Sequence, residues 1–83
     1  MNIERFLVLD GFVIALFKPQ YETRYPKNLE RGVIKSDEIR EGLFENFKEW
    51  AEENGWVIKN KIKSPILGGK GNVEYLLLLH PKQ

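Results

Sequence analysis

The feature that most constrains this 83-residue chain is a stretch near its end, residues 73–80, that is apolar on both faces apart from its ends, Glu74 and His80. Val73, Tyr75, Leu77 and Leu79 line one side of a strand here, and Leu76 and Leu78 the other. Such a strand belongs in the middle of a sheet, because neither side tolerates water. Phe12-Val13-Ile14-Ala15-Leu16-Phe17 has the same character and ends on Lys18 and Pro19. The proline keeps Lys18 extended and removes a donor from the ladder. A third strand is predicted where Trp56, Ile58 and Ile62 alternate with Val57, Lys59, Lys61 and Lys63; its lysine-rich side suits an edge.

Between the first and second of these strands in chain order, Ser36 is placed to cap a helix. Asp37 and Glu38 fall in its first turn, where the helix dipole favours carboxylates. Ile39, Leu43, Phe47, Trp50 and Ala51 recur at helical spacing, Glu41, Glu45, Lys48, Glu49 and Glu52 face away, and Asn54-Gly55 supplies the stop. A strand, a helix and a second strand make a right-handed parallel unit. The turn over residues 63–72 is too short for another crossover helix, so the last strand returns antiparallel and inserts between the other two. The expected fold is therefore α/β: a three-stranded mixed sheet in the order first, third, second, with one main helix. Residues 3–9 read as a short helix or its remnant, thinly covering the second sheet face, with a turn at Asp10-Gly11. Residues 20–35 read as a long loop carrying Arg24, Lys27, Arg31 and Lys35, with Tyr21 and Tyr25 between them. One helix cannot cover both faces of such a sheet, which predicts a homo-oligomer or a missing N-terminal half.

At 42% hydrophobic and 30% charged with a net charge of +1, the composition is that of a folded domain rather than a disordered tail. The charge balance excludes polyanion binding driven by bulk electrostatics but leaves room for a local basic patch. With no cysteine and a single histidine, neither a disulfide framework nor a metal site is expected, in keeping with a cytoplasmic protein. The first residues lack the pattern of a signal peptide, and no stretch reaches the roughly 20 apolar residues that span a bilayer.

In an open α/β sheet, ligands gather beyond the carboxyl ends of the parallel strands. Lys18 lies at such an end, and an antiparallel neighbour begins at the same border with Glu74 among its first residues. Such a pair can hold a substrate hydroxyl or poise the lysine as a base; equally, it can be a rim salt bridge worth about 0–1 kcal/mol. Gln20 and Glu22 can orient a ligand there or cap loop amides. The turn over residues 67–72 is not a phosphate-binding P-loop, having no Ser or Thr after its lysine and no helix beyond. Its glycines permit positive φ or close backbone approach. Lys70 reads as either solvent-facing or a nucleic-acid contact, Asn72 as tying the turn to itself, and Trp50 and Trp56 as core or half-core residues.

Leu16-Phe17-Lys18-Pro19-Gln20-Tyr21-Glu22, Arg31-Gly32-Val33-Ile34, Ser64-Pro65-Ile66 and Gly71-Asn72-Val73-Glu74-Tyr75-Leu76-Leu77 together resemble the C-terminal third of the TlyA family. These proteins, historically called haemolysins, are FtsJ-like RNA 2′-O-methyltransferases that use S-adenosylmethionine. The likeness runs from about Phe6 to His80. It implies that Lys18 matches the lysine of a Lys-Asp-Lys-Glu tetrad that deprotonates or positions the ribose 2′-hydroxyl, and that Glu74 matches the closing glutamate. It also implies a partial Rossmann-like sheet in which the three strands resemble the family's fifth, sixth and antiparallel seventh. The glycine-rich cofactor loop, the acidic residue for the cofactor ribose, the first tetrad lysine, the tetrad aspartate and the S4-type RNA-binding domain have no match here.

Residues 1–83 are thus expected to form a single partial methyltransferase domain that binds no cofactor itself and is inactive alone. Its expected contacts to rRNA come from Gln20, Glu22, Arg24, Lys27, Arg31, Lys70 and Asn72. The alternative is a non-catalytic RNA-binding or protein-interaction module on a degraded methyltransferase scaffold, motivated by the basic, tyrosine-containing segment 20–35.

Overall fold

The computed structural model describes residues 3–23 and 26–82, with the backbone alone for 3–9. The elements run β1 (Ile3–Leu9), β2 (Phe12–Phe17), β3 (Leu29–Glu30), β4 (Val33–Ile34), α1 (Asp37–Glu53), β5 (Trp56–Lys63) and β6 (Tyr75–Pro81). Short 3₁₀ turns occupy Pro19–Tyr21, Pro26–Asn28 and Gly69–Gly71.

The main sheet has four strands in the order β1-β2-β6-β5, and each neighbouring pair is antiparallel. β2 and β5 therefore run in the same direction on either side of β6, which is the expected order of first, third, second. Two expectations are corrected. Residues 3–9 form a strand rather than a helix, so they extend the sheet instead of covering its face. The sheet, expected to be mixed, is also antiparallel at every neighbouring pair, as the order first, third, second requires. Asp10-Gly11 explains the first correction: with φ of 47° and 84°, the dipeptide makes a two-residue hairpin that sets Leu9 opposite Phe12.

α1 packs on one face of this sheet. Ala15, Phe17, Tyr75, Leu77 and Leu79 meet Phe44, Phe47 and Ala51 of the helix, with Val13, Leu43, Trp56, Ile58 and Val73 around them. The ring of Phe17 lies 5.1 Å from that of Phe47 and meets Phe44 edge-on at 6.0 Å. Burying each such ring contributes about 1.5–3 kcal/mol.

The helix begins as expected, Ser36 Oγ accepting from the Ile39 amide at 3.1 Å. Its buried stripe is Arg40, Phe44, Phe47 and Ala51, rotated from the expected Ile39–Leu43 line, and Trp50 is partly exposed. Arg40 occupies an inward position because its two terminal nitrogens find partners there, although Nε is buried without one. Nη1 donates to the Ile34 carbonyl at 2.6 Å, and Nη2 pairs with Asp37, which ties β4 to the start of the helix.

β5 is the expected edge, but its alternation is broken. The register shifts between Ile58 and Asn60, so Trp56 and Ile58 face the helix whereas Ile62 turns away, opposite Leu76. Lys61 takes the helix side instead. Its ammonium lies 4.1 Å from the Phe44 ring centroid, 5.0 Å from that of Tyr75, and 3.1 Å from the Glu41 carboxylate.

Across the sheet from α1, Ile14, Asn60, Ile62, Leu76 and Leu78 border a shallow apolar concavity of about 220 Å³. The apolar strands are thus covered on one face only by the described residues. No helix among those residues is long and apolar enough to cross a membrane.

Candidate functional site

The β2–β6 ladder runs from Val13 opposite Leu79 to Phe17 opposite Tyr75. Lys18 and Glu74 are the next residues in each chain beyond that last pair, so both lie at one border of the sheet. Lys18 is extended (φ −114°, ψ 93°) ahead of Pro19, and its ammonium stands 5.6 Å from the Tyr21 ring centroid.

Glu74 is buried, with only 5% of its surface exposed. Its carboxylate Oε2 accepts from Gln20 Nε2 at 2.6 Å, while Gln20 Oε1 is buried without a partner. The backbone at Gly68 also comes so near that a Cβ there would lie 1.8 Å from the same Oε2. The loop closes on itself around this group. The Ser64 amide donates to the Glu74 carbonyl at 2.8 Å, the Gly68 amide to Asn72 O at 2.8 Å, and the Gly71 amide to Gly68 O at 3.0 Å. A carboxylate held between an amide side chain and a glycine backbone is fixed in direction before any ligand arrives.

Asn72 departs from expectation. Its buried side chain reaches beyond its own turn to the hairpin of β3 and β4. Oδ1 accepts from the Ile34 amide at 3.0 Å, and Nδ2 donates to the Gly32 carbonyl at 2.9 Å. The segment expected to be a loop therefore contains a hairpin, turned by Arg31-Gly32 with φ of 53° and 81°. Arg31 and Lys70 meet at a second concavity with Lys35, described below. Glu22 ends the first 3₁₀ turn, its amide donating to the Pro19 carbonyl at 2.9 Å, and Lys27 is exposed on the second. Arg24 and Tyr25 lie outside the described residues.

In the sequence, Lys35 reads only as one cation of the basic segment, Gly32 only as part of a family motif, and Gly68 only as one of a turn's glycines that permit close approach; none is assigned to a site. The two glycines matter through what approaches them in space, and the only trace in the sequence is that they are glycines. The resemblance implies S-adenosylmethionine for the whole family, but the glycine-rich turn here does not fit a nucleotide cofactor. It leads into a strand rather than a helix, and the space at Gly68 is taken by the Glu74 carboxylate.

Among known proteins, the chain is 42% identical over 66 residues to the 23S rRNA (cytidine-2′-O)-methyltransferase TlyA of Campylobacter jejuni, covering 76% of this chain and 25% of that protein. It is 30% identical over 78 residues to YqxC of Bacillus subtilis, whose name proposes an rRNA methyltransferase, covering 94% of this chain and 28% of that one. Hemolysin A of Brachyspira hyodysenteriae is 37% identical over 65 residues, covering 78% and 27%. A solved structure from Streptococcus thermophilus, described as a candidate hemolysin, superposes with a TM-score of 0.81 at 33% identity, over 93% of this chain and 28% of that one. One from Lactococcus lactis, described likewise, gives 0.77 at 35% identity, over 89% and 35%. No family model matches the chain. It spans between 25% and 28% of the length of these curated relatives. From these relatives and the shared fold, the chain belongs to the TlyA family, matching a C-terminal portion of its members.

Proposed function

We propose that this chain forms the substrate-side rim of an S-adenosylmethionine-dependent, FtsJ-like rRNA 2′-O-methyltransferase, and that these residues alone transfer no methyl group. The observation that carries this reading is the register of β2 on β6, which ends with Phe17 opposite Tyr75 and leaves Lys18 and the buried Glu74 next in each chain, in a chain related to a named 23S rRNA 2′-O-methyltransferase. Lys18 takes the proton of a ribose 2′-hydroxyl, or stabilises the charge that develops on its oxygen. Glu74, held between Gln20 and Gly68, keeps the lysine and that hydroxyl aligned. The methyl group comes from a cofactor bound by other parts of such proteins. In this reading β2, β5 and β6 are the closing strands of a Rossmann-like sheet; β1, antiparallel to β2, departs from the parallel neighbour such a sheet would supply. Its setting is the cytoplasm, where rRNA is the partner. The apolar face opposite α1 is covered by the rest of a longer protein or by a second copy.

A second reading, RNA binding without catalysis, draws support from the basic concavity at the hairpin turn. Two measurements separate the two. Titrating S-adenosylmethionine into the isolated chain by calorimetry is expected to give no binding, and micromolar affinity would overturn the division of labour. Exchanging this chain for the matching segment of the Campylobacter enzyme is expected to keep methyl incorporation into 23S rRNA within about tenfold of the parent. A folded chimera that binds RNA but transfers nothing would favour the non-catalytic reading.

A further inference from the structure

We propose that the concavity beside the β3–β4 turn is a phosphate-binding site for an RNA strand, formed by Arg31, Lys35 and Lys70. The proposal rests on the reading that this chain faces RNA, and it names where the strand's backbone is held. The concavity, of about 410 Å³, is bordered by these three cations with Glu30 and Val33. In a chain whose net charge is only +1, three cations around one carboxylate are a local concentration rather than a sample of a basic surface. They come from three separate stretches: the hairpin turn, the residue before the helix cap, and the glycine-rich turn. All three are exposed, and among the described residues none has an ion-pair partner.

The backbone is arranged to present them. Arg31 and Lys70 have φ of 53° and 61°, a region that L residues other than Asn and Asp enter at a cost. Strain of that kind is retained where the surrounding structure enforces it, and it gathers at ligand clamps. Lys70 lies across the hairpin turn, over position 32, which has no side chain. A Cβ on Gly32 would come within 2.8 Å of Lys70 Cδ and 2.9 Å of its Nζ. Asn72 then bonds the glycine-rich turn to both Gly32 and Ile34. The cations from the hairpin and from the turn are therefore one unit, and that unit leads through two residues to Glu74. A phosphate bound here is held at a fixed offset from the Lys18–Glu74 border, which is how a strand is registered before one of its riboses is read. Each nucleotide of RNA brings such a phosphate, so the pattern suits a nucleic-acid backbone better than an acidic peptide.

The test uses the 83-residue chain itself and fluorescence anisotropy of a labelled single-stranded RNA. The variant R31N/K35Q/K70N removes the cations while keeping Asn where φ is positive. K48Q/K59Q/K82Q removes the same charge from exposed positions elsewhere. The site variant is expected to weaken binding at least about tenfold at low salt and to lower the slope of log affinity against log salt by about 2. The control is expected to change affinity by less than about threefold. Equal losses in both variants would mean diffuse attraction and would overturn the site. Wild-type binding that the site variant leaves unchanged would overturn the site while sparing the RNA reading.

A parallel titration of inorganic pyrophosphate follows backbone amides by NMR and is expected to shift those of Arg31, Lys35 and Lys70. If pyrophosphate or a Glu-rich peptide binds there while RNA does not, an anion site survives but its assignment to RNA falls. If none of the three binds, the proposal falls entirely.

Discussion

Glu74 is directed by a glycine six residues before it. Because a Cβ at Gly68 would lie 1.8 Å from Glu74 Oε2, Gly68→Ala must displace either the turn or the carboxylate. Overpacking of this kind costs about 1–3 kcal/mol, measurable as a lower urea midpoint at unchanged slope. Gly42 offers the contrast: nothing lies within 4 Å of its would-be Cβ, and its backbone is helical. Gly42→Ala is expected to stabilise the chain by about 0.5–1 kcal/mol. If both substitutions shift the midpoint alike, the close approach at Gly68 is wrong. Lys18 and Glu74 were legible in the sequence because each sits at the boundary of an all-apolar run, and such boundaries mark the border of a sheet. The spatial reach of Gly68 and Asn72 was not legible, since their partners are set by how distant segments fold together.

At the scale of elements, β2, α1 and β5 were readable to within a residue, as apolar runs with a clear cap or breaker. β1 was missed for a specific reason. A register shift between Arg5 and Leu7 disrupts the period of two, and Glu4 and Arg5 sit among the apolar residues. The better signal was Asp10-Gly11 between two apolar stretches, a dipeptide suited to a hairpin with both φ angles positive. The bulge in β5 hid the facing of Lys61 and Ile62 in the same way. The hairpin of β3 and β4 is only two residues deep on each side and is attached through Asn72 and through Arg40, which donates to the Ile34 carbonyl. Asn72→Ala is expected to cost about 1–3 kcal/mol, since it leaves the buried Ile34 amide without its acceptor. Hydrogen exchange should report the loss locally: Ile34 NH loses protection while the amides of β6 keep theirs. Unchanged protection at Ile34 would contradict the clamp.

Among the described residues the main sheet is backed by α1 on one face, with Cα extents of 40 × 25 × 16 Å. The sequence predicted this imbalance, because one helix was available for strands apolar on both sides. What covers the other face depends on residues outside that helix and could not be read from it. With Ile62 53% exposed beside Leu76, Leu78 and Ile14, the isolated chain is expected to self-associate as its concentration rises. Sedimentation should record a rising mass for the wild type, and a monomer for Ile62→Glu. A monomeric wild type at high micromolar concentration would refute the association.

The central claim is that Lys18 and Glu74 serve one chemical step from one border of the sheet. In the chimera with the Campylobacter enzyme, the methylation rate constant of Lys18→Ala and Glu74→Gln can be measured beside the affinity for rRNA. The expected result is a rate at least about a hundredfold lower for Lys18→Ala, a clear drop for Glu74→Gln, and RNA affinity unchanged in both. Lys18→Ala methylating at the parental rate, in a folded chimera with normal RNA binding, would contradict it.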